Sequence, residues 1–179
     1  MEALHVYNIF EEAQRKLREK APGYTIRNAT REDLDSVIKI NEVSLPEHYP
    51  RIFYEELLED WGKAFYVAVA PTGEIVGYIM NRIETKPGFF KHWLVKSGHV
   101  VSIAVLEAHR GKGLGYALMA YAMKTMYDEY KCSETYLEVR VSNKPAITLY
   151  EKLGYKVVKV EKGYYLDGED AYVMARKLP

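Results

Sequence analysis

Val100-Val101-Ser102-Ile103-Ala104-Val105, followed after a short turn by Arg110-Gly111-Lys112-Gly113-Leu114-Gly115-Tyr116-Ala117, is the stretch around which this chain organises. The apolar, β-branched run reads as a strand, and the glycines after it open a helix that puts Leu114, Leu118 and Tyr121 on one face. A strand that feeds a glycine-rich turn into a helix leaves the first helical amides without acceptors, at the positive end of the helix dipole. Residues without a Cβ then let a phosphate approach the backbone. The loop predicts a diphosphate cradle. A Walker loop needs Gly-x-x-x-x-Gly-Lys followed by Ser or Thr, which is missing, and a dinucleotide fingerprint needs a glycine where Tyr116 stands. What remains is Arg-x-x-Gly-x-Gly over residues 110–115.

Working outward, residues 135–141 form a second β-branched strand. Pro145 starts a short helix with Ala146, Leu149, Tyr150 and Leu153 on one stripe, stopped by Gly154. Residues 155–164 and 171–177 flank Leu166-Asp167-Gly168-Glu169, a hairpin signal. Upstream, residues 65–70 and 75–83 flank a second hairpin turn at Pro71-Thr72-Gly73-Glu74, and a polar, aromatic loop over residues 84–97 leads to a strand at 99–105. Near the start, Val6, Phe10, Ala13 and Leu17 lie at helical spacing opposite Glu11, Glu12, Arg15, Lys16 and Arg18, an amphipathic helix over residues 3–20 that Ala21-Pro22-Gly23 ends. After an extended segment at 24–28, Thr30 and Asp33 cap a helix that carries Leu34, Val37 and Ile38 to about Val43. Pro46 and Pro50 stiffen the loop over 44–50, and Phe53, Tyr54, Leu57, Leu58 and Trp61 restore helical spacing beyond it. Past the first helix the order is β, α, α, β, β, β, α, β, α, β, β, which predicts a mixed sheet with helices packed on it.

With 179 residues, 48% of them hydrophobic and 28% charged, the chain is long enough to bury the core of one ordinary domain. Its 25 basic residues balance 25 acidic ones, which argues against broad nucleic-acid binding. A lone Cys132 excludes an intrachain disulfide or a zinc knuckle and points to a reducing compartment. Residues 1–20 hold no continuous apolar run, so they read as neither signal peptide nor membrane span, and the expected location is the cytoplasm.

Residues 110–115 resemble the acetyl-coenzyme A loop of the GCN5-related N-acetyltransferase (GNAT) superfamily. A second superfamily element follows in order: Asn143-Lys144-Pro145-Ala146-Ile147-Thr148-Leu149-Tyr150-Glu151-Lys152-Leu153-Gly154-Tyr155 is similar to the signature Asn-x-x-Ala-x-x-Leu-Tyr-x-x-x-Gly-Phe, with Tyr155 in place of phenylalanine. Leu45-Pro46-Glu47-His48-Tyr49-Pro50, Gly98-His99-Val100-Val101-Ser102-Ile103-Ala104-Val105, Tyr136-Leu137-Glu138-Val139-Arg140-Val141-Ser142-Asn143 and Gly163-Tyr164-Tyr165 together look like the archaeal protein N-terminal acetyltransferases. These are similar to the catalytic subunit of the eukaryotic N-terminal acetyltransferase A complex. The likeness covers residues 24–177 and leaves the amphipathic extension outside. It implies a single-domain GNAT fold of α/β (α+β) class: a mixed, mostly antiparallel sheet with a central splayed parallel strand pair and flanking helices. The chain then divides into an extension, 1–22, and an N-acetyltransferase domain, 23–179.

The resemblance also implies roles. Acetyl-CoA is the cosubstrate, its pantetheine arm lying between the splayed strands against the backbone of Ile103, Ala104 and Val105. The amides of Gly111, Lys112, Gly113, Leu114, Gly115 and Tyr116 hold the diphosphate, and Arg110 or Lys112 screens the remaining charge; as residues alone, both cations equally suit a solvated loop. Asn143 and Tyr150 face the thioester, with Tyr150 positioning or protonating the departing thiolate. Tyr150 also fits the packed stripe of its own helix. His99 and Glu138 are the acid-base candidates. A peptide α-amine has a pKa of roughly 7.7 to 8.0, so His99, Glu138 or a water between them suffices as base. Arg140 shares a strand face with Glu138 and is an alternative partner for it. No metal is required; His99 and Glu138 offer an incidental zinc fewer ligands than a built site needs. Glu47, Tyr49, Tyr164 and Tyr165 flank the acceptor channel, where tyrosine hydroxyls hold a peptide backbone and Glu47 attracts the ammonium or limits the first side chain. His48 reads as loop polarity.

The implied function is direct acetyl transfer from acetyl-CoA to the free α-amine of protein N-termini of Ser, Ala or Thr type, with Met-starting chains a further option. Cys132 takes no part. A lysine or small-polyamine acetyltransferase is the enzymatic alternative, and a non-catalytic acetyl-CoA-binding partner subunit the other. The implied partners are N-termini of proteins or nascent peptides, with the ribosome or a helical auxiliary subunit as candidates, and neither nucleic acid nor membrane.

Overall fold

A computed structural model describes residues 5–179. Helix α1 (Val6–Lys20) buries Val6, Ile9, Ala13 and Leu17 as one stripe and begins on His5, whose ring nitrogen accepts from the amide of Tyr7 at 3.1 Å. Residues 3 and 4 of the expected helix lie outside the described residues. Strand β1 (Thr25–Asn28) precedes a capping box in which the Asp33 carboxylate accepts from the Thr30 amide at 2.8 Å and its hydroxyl at 3.1 Å. Helices α2 (Leu34–Ser44) and α3 (Arg51–Trp61) follow, parted by the two-proline loop as expected.

The sheet departs from expectation at one place. After β2 (Tyr66–Val69), β3 (Ile75–Pro87) and β4 (Leu94–Val105) continue their ladder from Arg82↔His99 to Pro87↔Leu94, so most of the expected loop at 84–97 is strand and only residues 88–93 turn. The polarity of that stretch follows the pleat: Ile83, Val95 and Ser97 are buried, and the intervening Lys96 faces solvent. The Glu134 carboxylate accepts from the Phe89 amide at 3.0 and 3.1 Å and secures the turn.

Helix α4 (Leu114–Asp128), strand β5 (Glu134–Arg140), helix α5 (Lys144–Lys152) and strands β6 (Lys156–Glu161) and β7 (Ala171–Lys177) complete the chain. The order across the sheet is β1-β2-β3-β4-β5-β7-β6, antiparallel except for β4 and β5. That parallel pair is joined only at Ser97↔Glu134, Gly98↔Thr135 and His99↔Tyr136, and then opens. This is the expected splayed pair.

Two large cores flank the sheet, and a smaller cluster gathers Phe89 and Phe90 against Tyr136, Val173 and Ala175. Helices α1, α4 and α5 share one with Ile79; α2 and α3 share the other with Tyr78 and Met80, so alternate residues of β3 serve opposite faces. Among the described residues no helix is long and apolar enough to cross a membrane.

Candidate active site

His99 occupies the last rung of the parallel ladder, and its register partner Tyr136 stacks on it with centroids 4.3 Å apart and planes 7° from parallel. Glu138, two residues beyond Tyr136 on the same face, reaches back so that its Oε1 lies 2.8 Å from His99 Nε2. The other ring nitrogen, Nδ1, lies 3.0 Å from Glu84 Oε2. Glu84 in turn accepts from the Tyr136 hydroxyl at 2.5 Å and from Arg82 Nε at 2.9 Å. Burial works against a charged ring at His99, but the hydrogen bonds to Glu138 and Glu84 outweigh it and raise its pKa above the ordinary imidazole value. Burial also works against the Glu84 carboxylate, yet the hydrogen bonds from His99 and Tyr136 bring its pKa down to about 2. Glu84 and Tyr136 were not among the expected site residues. Glu84 lay in the stretch read as loop, and the available signal was the period-two face that it shares with Arg82.

Loops 44–50 and 162–170 close over this cluster. Arg140 does not pair with Glu138; its guanidinium donates to Glu47 at 2.7 Å, to Glu169 at 2.9 Å and to Asp167 at 2.9 Å, and lies 4.1 Å over the ring of Tyr165. The carboxylates sit on loops 44–50 and 162–170, so they draw the guanidinium beyond Glu138, and one side chain clasps both loops. The Tyr164 hydroxyl reaches Glu138 Oε1 at 3.4 Å; burial and the charge of Glu138 push its pKa up to about 12. Tyr49 directs its hydroxyl to the carbonyl of Val101 at 3.5 Å. Beneath it, Asn41 Nδ2 donates to the Glu47 carbonyl at 3.0 Å and to the Tyr78 hydroxyl at 3.1 Å, which tethers the loop to the core. His48 turns its Nε2 to the carbonyl of Leu45 at 2.8 Å, in keeping with loop polarity.

On the other side of the opening, Gly111 and Gly113 adopt φ of +79° and +82°, and no side chain caps α4. None of the successive amides from Gly111 to Tyr116 donates to another described residue, whereas that of Ala117 bonds the carbonyl of Gly113. Past His99, the edge of β4 that faces β5 has no strand partner, which leaves Ile103, Ala104 and Val105 along the gap. Arg110 Nε donates to the Val105 carbonyl at 2.9 Å. Asn143 is spent as the cap of α5, its side chain accepting from the Ala146 amide at 3.3 Å. Tyr150 is buried in the core beside Tyr155, and burial pushes its pKa up to about 12. Cys132 is buried too, and burial pushes its thiol up to about 12, which makes a poor nucleophile. No group of three or more His, Cys, Asp or Glu side chains suited to a metal occurs among the described residues.

A row of unpaired amides at a helix start, opposite a buried acid-base cluster, suits a diphosphate carrier on one side and an amine on the other. The model described as "Acetyltransferase (GNAT) family" matches residues 34–155. The chain is 54% identical over 163 residues to the N-alpha-acetyltransferase of Saccharolobus solfataricus, covering 90% of this chain and 97% of that protein. It is 40% identical over 154 residues to the N-terminal acetyltransferase A complex catalytic subunit NAA10 of Arabidopsis thaliana, covering 86% and 77%. Among solved structures it matches, with a TM-score of 0.80 and 26% identity, a chain of the NatC complex bound to Gag peptide and CoA, covering 87% of this chain and 99% of that one. The chain therefore belongs to the GNAT family of acetyltransferases. Within it, the enzyme is an acetyl-CoA-dependent N-terminal acetyltransferase.

Proposed function

We propose that the enzyme acetylates protein N-termini that begin with Ser, Ala or Thr, with Met-starting chains a further option, and that His99 and Glu138 handle the proton. The observation that carries the reading is the 2.8 Å contact between His99 and Glu138 where β4 and β5 part, beneath the tyrosines of two loops. Bound acetyl-CoA supplies the activated acetyl group. Tyr49, Tyr164 and Tyr165 hold the peptide backbone, and Glu47, oriented by Arg140, limits the first side chain and favours the ammonium. His99 and Glu138 take up the proton released as the amine attacks, directly or through a water. The backbone of Ile103, Ala104 and Val105 would hold the arm of the cosubstrate, and an amide near Val105 would stabilise the developing oxyanion. Tyr150 would position or protonate the departing thiolate.

The substrates are nascent or finished chains in the cytoplasm. The apolar stripe of α1 is used against α4, which supports a role within the fold over docking of a helical subunit. Coenzyme A release with Ser-, Ala-, Thr- and Met-starting peptides, set against an N-blocked lysine peptide, tests the reading. Turnover is expected on peptides with a free N-terminus above the blocked one, and turnover confined to the blocked peptide refutes it, since a lysine of pKa near 10.4 makes a different demand on the base.

A further inference from the structure

We propose that Lys16, on the helix ahead of the matched family region, is part of the cofactor site and carries a positive charge to the diphosphate of acetyl-CoA. The inference rests on the cosubstrate and not on the choice of acceptor. Along α1, the Tyr7 hydroxyl meets the Asp128 carboxylate at 2.5 Å at the end of α4, and Phe10 meets Tyr121 with centroids 4.6 Å apart. Lys16 then meets Tyr116 in the first turn of α4, its ammonium 4.5 Å from the ring centroid. The two helices therefore run antiparallel, and the second half of α1 is delivered to the glycine loop. A Cβ built on Gly113 would stand 3.7 Å from the Cβ of Lys16, so the lysine stem starts at the rim of the cradle. The Tyr24 hydroxyl, 2.7 Å from His109 Nδ1, holds the segment after α1 to the turn that leads into the same loop.

Charge bookkeeping on α1 leaves this lysine available. Arg15 takes the carboxylates of both Glu12 and Glu19, which lie one turn either side of Lys16, and Lys16 forms no ion pair among the described residues. It is half-buried nonetheless, held on the face of Tyr116 beside the unpaired amides from Gly111 to Tyr116. The expected cations are placed differently: Arg110 commits its Nε to Val105, and the Lys112 ammonium stands 5.8 Å from the ring of Tyr24. Donor amides at the start of α4 and an ammonium at the rim of the same loop form an arrangement that suits a diphosphate.

Isothermal titration of the full-length protein with CoA, 3′-dephospho-CoA and, by competition, pantetheine tests this without turnover. Lys16→Met keeps the stem on Tyr116 and removes the charge. It is expected to weaken CoA and dephospho-CoA alike by about 10-fold or more, the scale of one charge-assisted contact, and to leave pantetheine unchanged. Lys16→Arg is expected to restore most of the affinity, and Arg18→Ala, on the exposed side of α1, to change nothing. Wild-type CoA affinity in Lys16→Met overturns the proposal. So does equal weakening of pantetheine, which reports a packing defect, or a loss seen with CoA but not with dephospho-CoA, which moves the charge to the ribose phosphate.

Discussion

Glu84 sets the proton affinity of His99 from behind, and replacing it with glutamine isolates that effect. Glu84→Gln keeps the shape of the side chain and one of its two acceptors: the amide oxygen stays 3.0 Å from His99 Nδ1, and the NH2 takes the place of the oxygen that faced the Tyr136 hydroxyl, which turns to accept from it, so the ring stays in place while a charge disappears. Two unit charges about 4 Å apart near a protein surface interact by about 4 kcal/mol, but Glu84 already shares its charge with Arg82 and Tyr136. A shift of about one pKa unit, or about 1.4 kcal/mol, is the consistent expectation. Its sign is downward. The wild-type pKa is raised, removal of a carboxylate lowers it, and Arg82, with Nη2 3.4 Å from the same Nδ1, is left uncompensated and lowers it further. If neutral His99 takes part in proton removal, the acid limb of kcat moves to lower pH and the variant retains more activity in mildly acidic buffer than wild type does. Imidazole NMR titration of His99, assigned by comparison with His99→Gln, reads the same shift without turnover. An acid limb that stays in place while the NMR pKa falls removes His99 from the proton path, and an NMR pKa that stays or rises refutes the electrostatic argument itself.

Arg140→Met is expected to raise the KM for peptide several-fold and leave that for acetyl-CoA unchanged, because the lost clasp joins the two acceptor loops and touches nothing at the glycine turn; parallel changes in both constants count against it. Gly98→Ala places a Cβ 2.3 Å from the sulfur of the fully buried Met126, and overpacking of this kind costs about 1 to 3 kcal/mol, read as a lower denaturation midpoint. An unchanged midpoint refutes the packing reading. Cys132→Ala is expected to keep kcat, and the native thiol to resist alkylation until the protein unfolds; loss of turnover would reinstate a thiol intermediate.

The parts legible in sequence were those with local causes. The Thr30–Asp33 cap, the turn at Gly154 and the glycine loop each follow from residues within one turn of one another, and the structure forms all three. The acceptor tyrosines and the His99–Glu138 pair came from family resemblance, because their meeting depends on strand register, which no local pattern specifies. Glu84 was missed for the same reason. Its role arises from the Arg82↔His99 pairing across a hairpin whose turn is six residues further on, in a stretch where charged side chains masked a regular pleat. The alternative pairing of Arg140 with Glu138 does not form, because same-face neighbours along a strand are only one choice of partner, and the carboxylates on the loops above outnumber the one beside it. Lys16 lies outside the resemblance altogether, and nothing in an amphipathic pattern says which end of the helix meets which loop.

The place where the sheet opens explains why acid-base residues and cofactor edge meet there. The β3–β4 ladder runs in register up to Asn81↔Val100 and resumes at Met80↔Ser102, so Val101 is an extra residue, a bulge just past the last parallel rung at His99. A bulge bends its strand and strengthens the local twist. Bent at Val101, β4 leaves β5, and its backbone groups toward the gap are freed for a ligand in place of a strand. The bulge also presents the Val101 carbonyl to the hydroxyl of Tyr49, linking the bend to the acceptor loop. On the near side of the bend, the bare backbone of Gly98 lets Met126 of α4 pack against β4, which fixes the helix behind the glycine loop. One extra residue and one missing side chain thus set where the strands part, and the last rung before the gap is the position whose side chain stands at the mouth of the opening. His99 holds that rung, and Glu138, extending from a strand that has begun to diverge, is long enough to reach back to it.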